Sequence, residues 1–300
     1  MKKAPVALAI GDIRWDDAPF GPCIGGTASI FAARLAALGI VVRFAGVVGE
    51  AQQGEAVIKE LAASGVDTSL VQKHPSLATE RAVVEFLEDR TPVITTRARG
   101  AAENFEVTDE LVAFADESEV LFWSSPTQRG DITGSNFRKF LEVCPSSFKV
   151  FDIDCAFVVP TREELEVALG VASVAHIRGR DISTVCEILG LPELEPGLLA
   201  PAITERFGVS YCVIADPLAG ALISSIAGEQ VGMDIVAPSE GDLLGWHEAF
   251  LAAFVYHVFQ GSTLARCCEA AARYADSVAA TEGALSSLAD SEIALIKARG

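Results

Sequence analysis

Apolar residues along this chain follow two rhythms. Short, mostly apolar runs at 6–10, 120–123, 149–153, 173–177, 211–215 and 221–226 have the length and branched or aromatic content of buried strands. Other stretches repeat apolar residues at three- and four-residue intervals and predict helices. At 55–63, Val57, Ile58 and Leu61 share one helical face, and Gly65 stands where a helix commonly ends in a left-handed turn. The stretch 161–169 opens with Thr161-x-x-Glu164, a pair whose side chains can each satisfy the other's backbone N–H. An alanine-rich run behind Gly25-Gly26 predicts a helix ending at Gly39, and further helices are predicted over 246–259, 262–280 and 291–298. The run 41–48 predicts one more strand. Between 81 and 97 two strand-like segments flank a turn at Glu88-Asp89-Arg90 with no helix between them, which predicts a hairpin inserted as a small β lid.

From residue 121 onward strands and helices alternate. That pattern implies an α/β fold, a doubly wound and mostly parallel sheet flanked by helices. Ligands on such sheets bind at the carboxyl ends of the strands. No linker or repeat divides the chain, so one domain over 1–300 is expected.

Composition narrows the function. Half of the 300 residues are hydrophobic, but the apolar helical run 249–259 is too short to span a bilayer. The formal net charge of −18 disfavours nucleic acid and anionic membranes as partners, because no basic stripe is available to neutralise phosphates. Seven cysteines without a C-x-x-C pair suggest neither a zinc site nor a disulfide framework; reduced core thiols and a cytoplasmic location are expected.

Several familiar motifs are missing. No G-x-G-x-x-G follows the first strand, no G-x-x-x-x-G-K-[ST] occurs, and His247-Glu248 lacks the second histidine of a zincin helix. No G-x-S-x-G elbow is present.

Three other segments carry information in their order and separation. The first, Gly11-Asp12-Ile13-Arg14-Trp15-Asp16, follows the first strand directly. The second, Gly25-Gly26-Thr27-Ala28-Ser29-Ile30, runs on to Gly39 and then to Gly46-Val47-Val48-Gly49 and Gly65-Val66-Asp67. The third is Asp242-Leu243-Leu244-Gly245-Trp246-His247-Glu248-Ala249-Phe250. Together these resemble the PfkB (ribokinase-like) carbohydrate kinases, over nearly the whole chain and most closely over 5–102. The resemblance implies a ribokinase-like fold with lid segments near 12–20 and 81–98.

It also implies roles. Asp16, Gly25, Gly26 and Asp242 would bind a small sugar or nucleoside, a carboxylate being able to accept several polyol hydroxyls. Gly245 would open an anion hole at a helix N-terminus, and Glu248 would stand where the family has its aspartate base. Gly220 and Ala221 would belong to the nucleotide site, with Mg-ATP as the implied cofactor and no protein-held metal cluster. Two copies could associate through the lid.

The family pattern is altered at the phosphate end. Ile30 replaces a sugar-binding asparagine, Trp246 and His247 replace small residues, and Asp216 stands on the nucleotide loop. Arg178-Gly179-Arg180-Asp181 occupies the place of an N-x-x-E motif. Two readings follow: an ATP-dependent kinase for a small sugar or nucleoside, or a kinase-like protein that holds a small polar ligand or protein partner without phosphoryl transfer.

Overall fold

A computed structural model describes residues 5–98, 100–129, 131–144, 148–236 and 238–298. The chain opens with strands β1 (Val6–Ile10), β2 (Arg14–Ala18) and β3 (Gly21–Gly25), then helix α1 (Thr27–Ala37). Strands β4 (Val41–Ala45) and β5 (Val47–Gly49), helix α2 (Gln52–Ala63) and strands β6 (Gln72–His74), β7 (Arg81–Phe86) and β8 (Pro92–Ala98) follow. The middle holds α3 (Asp109–Glu117), β9 (Val120–Ser124), α4 (Asp131–Val143), β10 (Phe148–Ile153), α5 (Arg162–Val171) and β11 (Val174–Arg178). Then come α6 (Ile182–Leu189), α7 (Pro196–Phe207) and strands β12 (Tyr211–Asp216), β13 (Gly220–Ser225) and β14 (Gln230–Met233). Helices α8 (Trp246–Phe259), α9 (Leu264–Ala279) and α10 (Asp290–Lys297) complete it.

Eight strands form the main sheet in the order β14-β13-β12-β11-β10-β9-β1-β4. It is parallel from β12 to β4, while β13 and β14 add antiparallel at one edge. Successive side chains on a strand face opposite ways, and each face meets its own helical layer. Ala7, Ala9, Val120 and Phe122 join a core built with α1, α8 and α9, whereas Leu8, Ile10, Leu121 and Trp123 join a second core built with α3 to α7. Phe31 of α1 stacks on Phe122 with ring centroids 4.0 Å apart. The capping box at the start of α5 forms as its spacing predicts, with Thr161 and Glu164 each bonded to the other's backbone N–H.

The expected strand 41–48 is two strands in two sheets. The chain breaks at Gly46, where an added Cβ would lie 2.6 Å from the Gly11 carbonyl oxygen and 2.8 Å from the Phe44 ring. β5 then pairs with β6 rather than continuing along β1.

β2, β3, β7 and β8 build a separate four-stranded sheet in the order β3-β2-β7-β8. Its hairpin tip is tied to the loop before α8: the Leu243 N–H donates to the Arg90 carbonyl (3.3 Å), and Arg90 Nη1 donates to the Glu240 carbonyl (2.6 Å). Among the described residues, no helix is long and apolar enough to cross a membrane.

Candidate active site

A cavity of about 260 Å³ lies between the small sheet and the carboxyl ends of the main strands. Ile94 and Arg14 line it from the small sheet; Asp154, Arg178, Asp216 and Glu248 line it from the main body. The site therefore stands where a parallel sheet leaves its helix N-termini and strand ends free to meet a ligand.

Parallel register assembles the charged floor. β10 pairs with β11 so that Asp152 lies beside His176, and Asp154 and Arg178 continue the same face two residues on. Arg178 Nη2 donates to Asp152 Oδ2 (2.7 Å) and to Glu248 Oε1 (2.9 Å), and its Nη1 lies 3.3 Å from Asp154 Oδ2. His176 Nδ1 meets Asp152 Oδ1 at 2.6 Å. Burial alone would raise the Asp152 carboxyl, but Arg178 and His176 hold it well below its ordinary value. Burial raises the Glu248 carboxyl above its ordinary range, with Arg178 pulling against that shift. Dry surroundings thus raise the affinity of this carboxylate for a proton, and the guanidinium opposes them.

α8 presents Glu248 to that floor. Gly245 caps the helix at φ 81°, a left-handed conformation, and a Cβ there would lie 2.8 Å from the Ala284 methyl. Ala284 is itself fixed by Arg34 of α1, whose Nε donates to its carbonyl (2.8 Å). Of the residues that follow, Trp246 turns into the core, stacking on Phe250 and donating from Nε1 to Asp276 Oδ1 (3.0 Å). It does not obstruct the cavity. His247 does line it, and burial of the ring with Arg178 nearby holds its imidazole well below the ordinary pKa of 6.5. The first-turn N–H groups of α8 have no intrahelical acceptor and give the helix start a partial positive charge.

Against the small sheet, the structure places two of the residues expected to bind substrate, Asp16 and Asp242, behind the cavity wall. Asp16 is fully buried, and Arg14 takes its carboxylate with two N–H groups, Nε to Oδ1 (2.7 Å) and Nη2 to Oδ2 (3.4 Å). A Cβ on Gly25 would fall 2.0 Å from Asp16 Oδ2, so the glycine makes room for this buried carboxylate. Asp12 receives a third bond from Arg14 Nη1 (2.9 Å) and also accepts the N–H groups of Thr27 and Ala28 at the start of α1. Gly26, at φ 112°, lets the chain turn tightly beside the Asp12 carbonyl. The wall of the cavity is thus Arg14, with Asp16 behind it. Asp242 also stands behind the wall: it accepts the N–H groups of Leu244 and Gly283 (2.8 Å each) and ties the loop before α8 to the Ala284 loop. The sequence did contain the signal for Arg14. Asp12, Arg14 and Asp16 alternate, so an extended chain puts all three on one face with the cation in the middle.

A second, wider cavity of about 580 Å³ adjoins the first, and Asp216 lines both. Gly220, Ala221, Ile182 and Leu222 line it. Gly220 sits at φ 127° with no room for a Cβ against the Met233 carbonyl, and Gly179 has none against the Asp216 carboxylate. The predicted nucleotide residues and the predicted base therefore border two neighbouring cavities with Asp216 on the wall of both.

Residues 23–291 match the model of the pfkB family of carbohydrate kinases. No curated protein sequence shows a significant match. Among solved structures, an E. coli protein in complex with ATP and Mg2+, described as a candidate ribokinase II, superposes with a TM-score of 0.82. It is 18% identical over 98% of this chain and 99% of that one. A Burkholderia thailandensis nucleoside kinase in complex with inosine is 19% identical over 97% of each chain, with a TM-score of 0.81. Arabidopsis thaliana ribokinase, complexed with ribose and ATP, is 16% identical over 98% of this chain and 99% of that one, also with a TM-score of 0.81. With a ribokinase-like fold throughout and a family match over most of its length, the chain belongs to the pfkB family of carbohydrate kinases.

Proposed function

We propose that this protein transfers a phosphoryl group from Mg-ATP to a hydroxyl of a small sugar or nucleoside, with Glu248 as the general base. One observation carries the reading: Glu248, in the first turn of α8 behind the left-handed Gly245, faces the cavity with its proton affinity raised by burial.

The residues present fit the nucleotide. The wider cavity offers apolar Ile182 and Leu222 to a base, and Gly179 and Gly220 bring bare backbone to its wall. Arg180 and the first-turn N–H groups of α8 would hold phosphate oxygens, with Asp154 and Asp216 as carboxylates for the metal. Bound Mg-ATP supplies the transferable phosphoryl group and a cation that offsets charge on its oxygens. The protein's own part is to seat the acceptor, keep water out and take the hydroxyl proton at Glu248 Oε.

The chain is inferred to act as one domain, with the small sheet as its lid and the cytoplasm as its place. Leu87 and Val93 are exposed on the hairpin of that sheet and favour association of two copies there, which sedimentation velocity on the wild type and a Val93→Glu variant would check. The reading as a whole is tested by ADP release from Mg-ATP across a panel of sugars and nucleosides. Glu248→Gln should cut kcat at least about a hundredfold while KM for the acceptor stays within about threefold. Unchanged turnover in that variant would remove Glu248 as the base.

A further inference from the structure

The acceptor end of the cavity presents a donor where a sugar-binding carboxylate was expected. Asp16 and Asp12 are both turned onto Arg14, and Ile30, Ile94 and Leu244 bring apolar side chains to that end beside the hydroxyls of Thr27 and Thr91. A guanidinium has five N–H groups, and the three bonds to the two aspartates leave one on Nη1 and one on Nη2 of a side chain that lines the cavity. Arg14 also lies over the Phe157 ring, 4.5 Å from its centroid, which fixes the plane of the fork. The surroundings thus offer flat apolar contact and a rigid pair of donors, with few acceptors for a ring of free hydroxyls.

We infer that Arg14 determines specificity, selecting an acceptor whose ribose-like ring carries a flat group with a neutral carbonyl oxygen, as in a carbonyl-bearing nucleoside. This inference rests on the reading that the cavity seats the phosphoryl acceptor. A carbonyl oxygen takes two N–H donors in its plane without bringing charge. A carboxylate would also take the fork, but two carboxylates already crowd this guanidinium, and a third meets like charge in a dry site. A plain pentose or hexose supplies hydroxyl oxygens that can accept, but no flat group bearing a carbonyl oxygen.

The test is calorimetric titration of the full chain, without ATP, with inosine, adenosine, ribose and a sugar acid such as gluconate. Inosine and adenosine differ at the six-position, a carbonyl oxygen against an amino group, and at the neighbouring N1, which carries a hydrogen only in inosine. Inosine should bind about tenfold or more tightly than adenosine, with ribose and gluconate weaker still. In Arg14→Met the preference for inosine should fall to within about threefold. Because that variant leaves two buried aspartates unpaired, Arg14→Lys serves as a second reading: it keeps a cation but loses the fork, and should lose most of the preference.

Equal or tighter binding of adenosine, ribose or gluconate overturns the inference. So does an Arg14 variant that melts earlier yet keeps the wild-type ratio, the result for a purely structural counter-ion. The two levels separate cleanly. Mg-ADP binding without any nucleoside binding removes the inference and leaves the kinase reading standing. Selective inosine binding without phosphorylation in the presence of Mg-ATP does the reverse.

Discussion

Removing the Arg178 guanidinium would leave Asp152, Asp154 and Glu248 facing one another at the strand ends. Buried carboxylates stripped of their partner are costly, so Arg178→Leu should lower unfolding free energy by about 3–5 kcal/mol in urea titrations. His247 adds a pH dependence. Its imidazole is held well below 6.5 in the folded chain, so an unfolded chain takes up a proton there that the folded one refuses. Stability is then present above about pH 6.5 and is lost as pH falls below it, by at most about 1.4 kcal/mol per pH unit. Melting curves from pH 7.5 to 5 should show the loss, and His247→Asn should flatten that part of the profile. Glu248, Gly245 and the glycine turn at 25–26 were legible as residues. What the sequence hid was their pairing: that Arg178 binds Glu248 depends on which strand lies beside which, and that Trp246 turns inward depends on Asp276, thirty residues away on α9.

At the scale of elements, the start of α8 and the start of α5 make a useful contrast. Gly245 needs its left-handed turn and has the Ala284 methyl against it, so Gly245→Ala should cost about 1–3 kcal/mol of stability and most of the turnover. Thr161→Ala removes a cap on a helix away from the cavity; thermal melts should show a loss of about 1 kcal/mol with kcat unchanged. Strands of the main sheet were readable because both their faces are apolar. The small sheet was harder. β2 and β3 carry Asp16, Asp17, Gly21 and Pro22, a composition that reads as loop; they pair with each other, and β2 is held in the sheet by β7, some sixty residues further on, which in turn pairs with β8. The split of 41–48 at Gly46 was hidden for a similar reason, since the obstacle is the Gly11 carbonyl on a neighbouring segment.

For the whole molecule, a net charge of −18 surrounds a site meant for a polyanion. Long-range attraction therefore cannot gather ATP, and binding must come from local donors: Arg180, the α8 N-terminus and the metal carried by the nucleotide. On the proposed reading Asp216, which lines both cavities, sharpens that requirement, because phosphates lying between them would pass a carboxylate. The most direct test is calorimetric titration of the full chain with a non-hydrolysable ATP analogue, with and without Mg2+. Binding that requires Mg2+, with a dissociation constant on the order of 10 μM to 1 mM, is the result predicted for a kinase site of this construction. No detectable heat and no thermal shift at millimolar nucleotide would contradict it and leave the cavity without its phosphoryl donor.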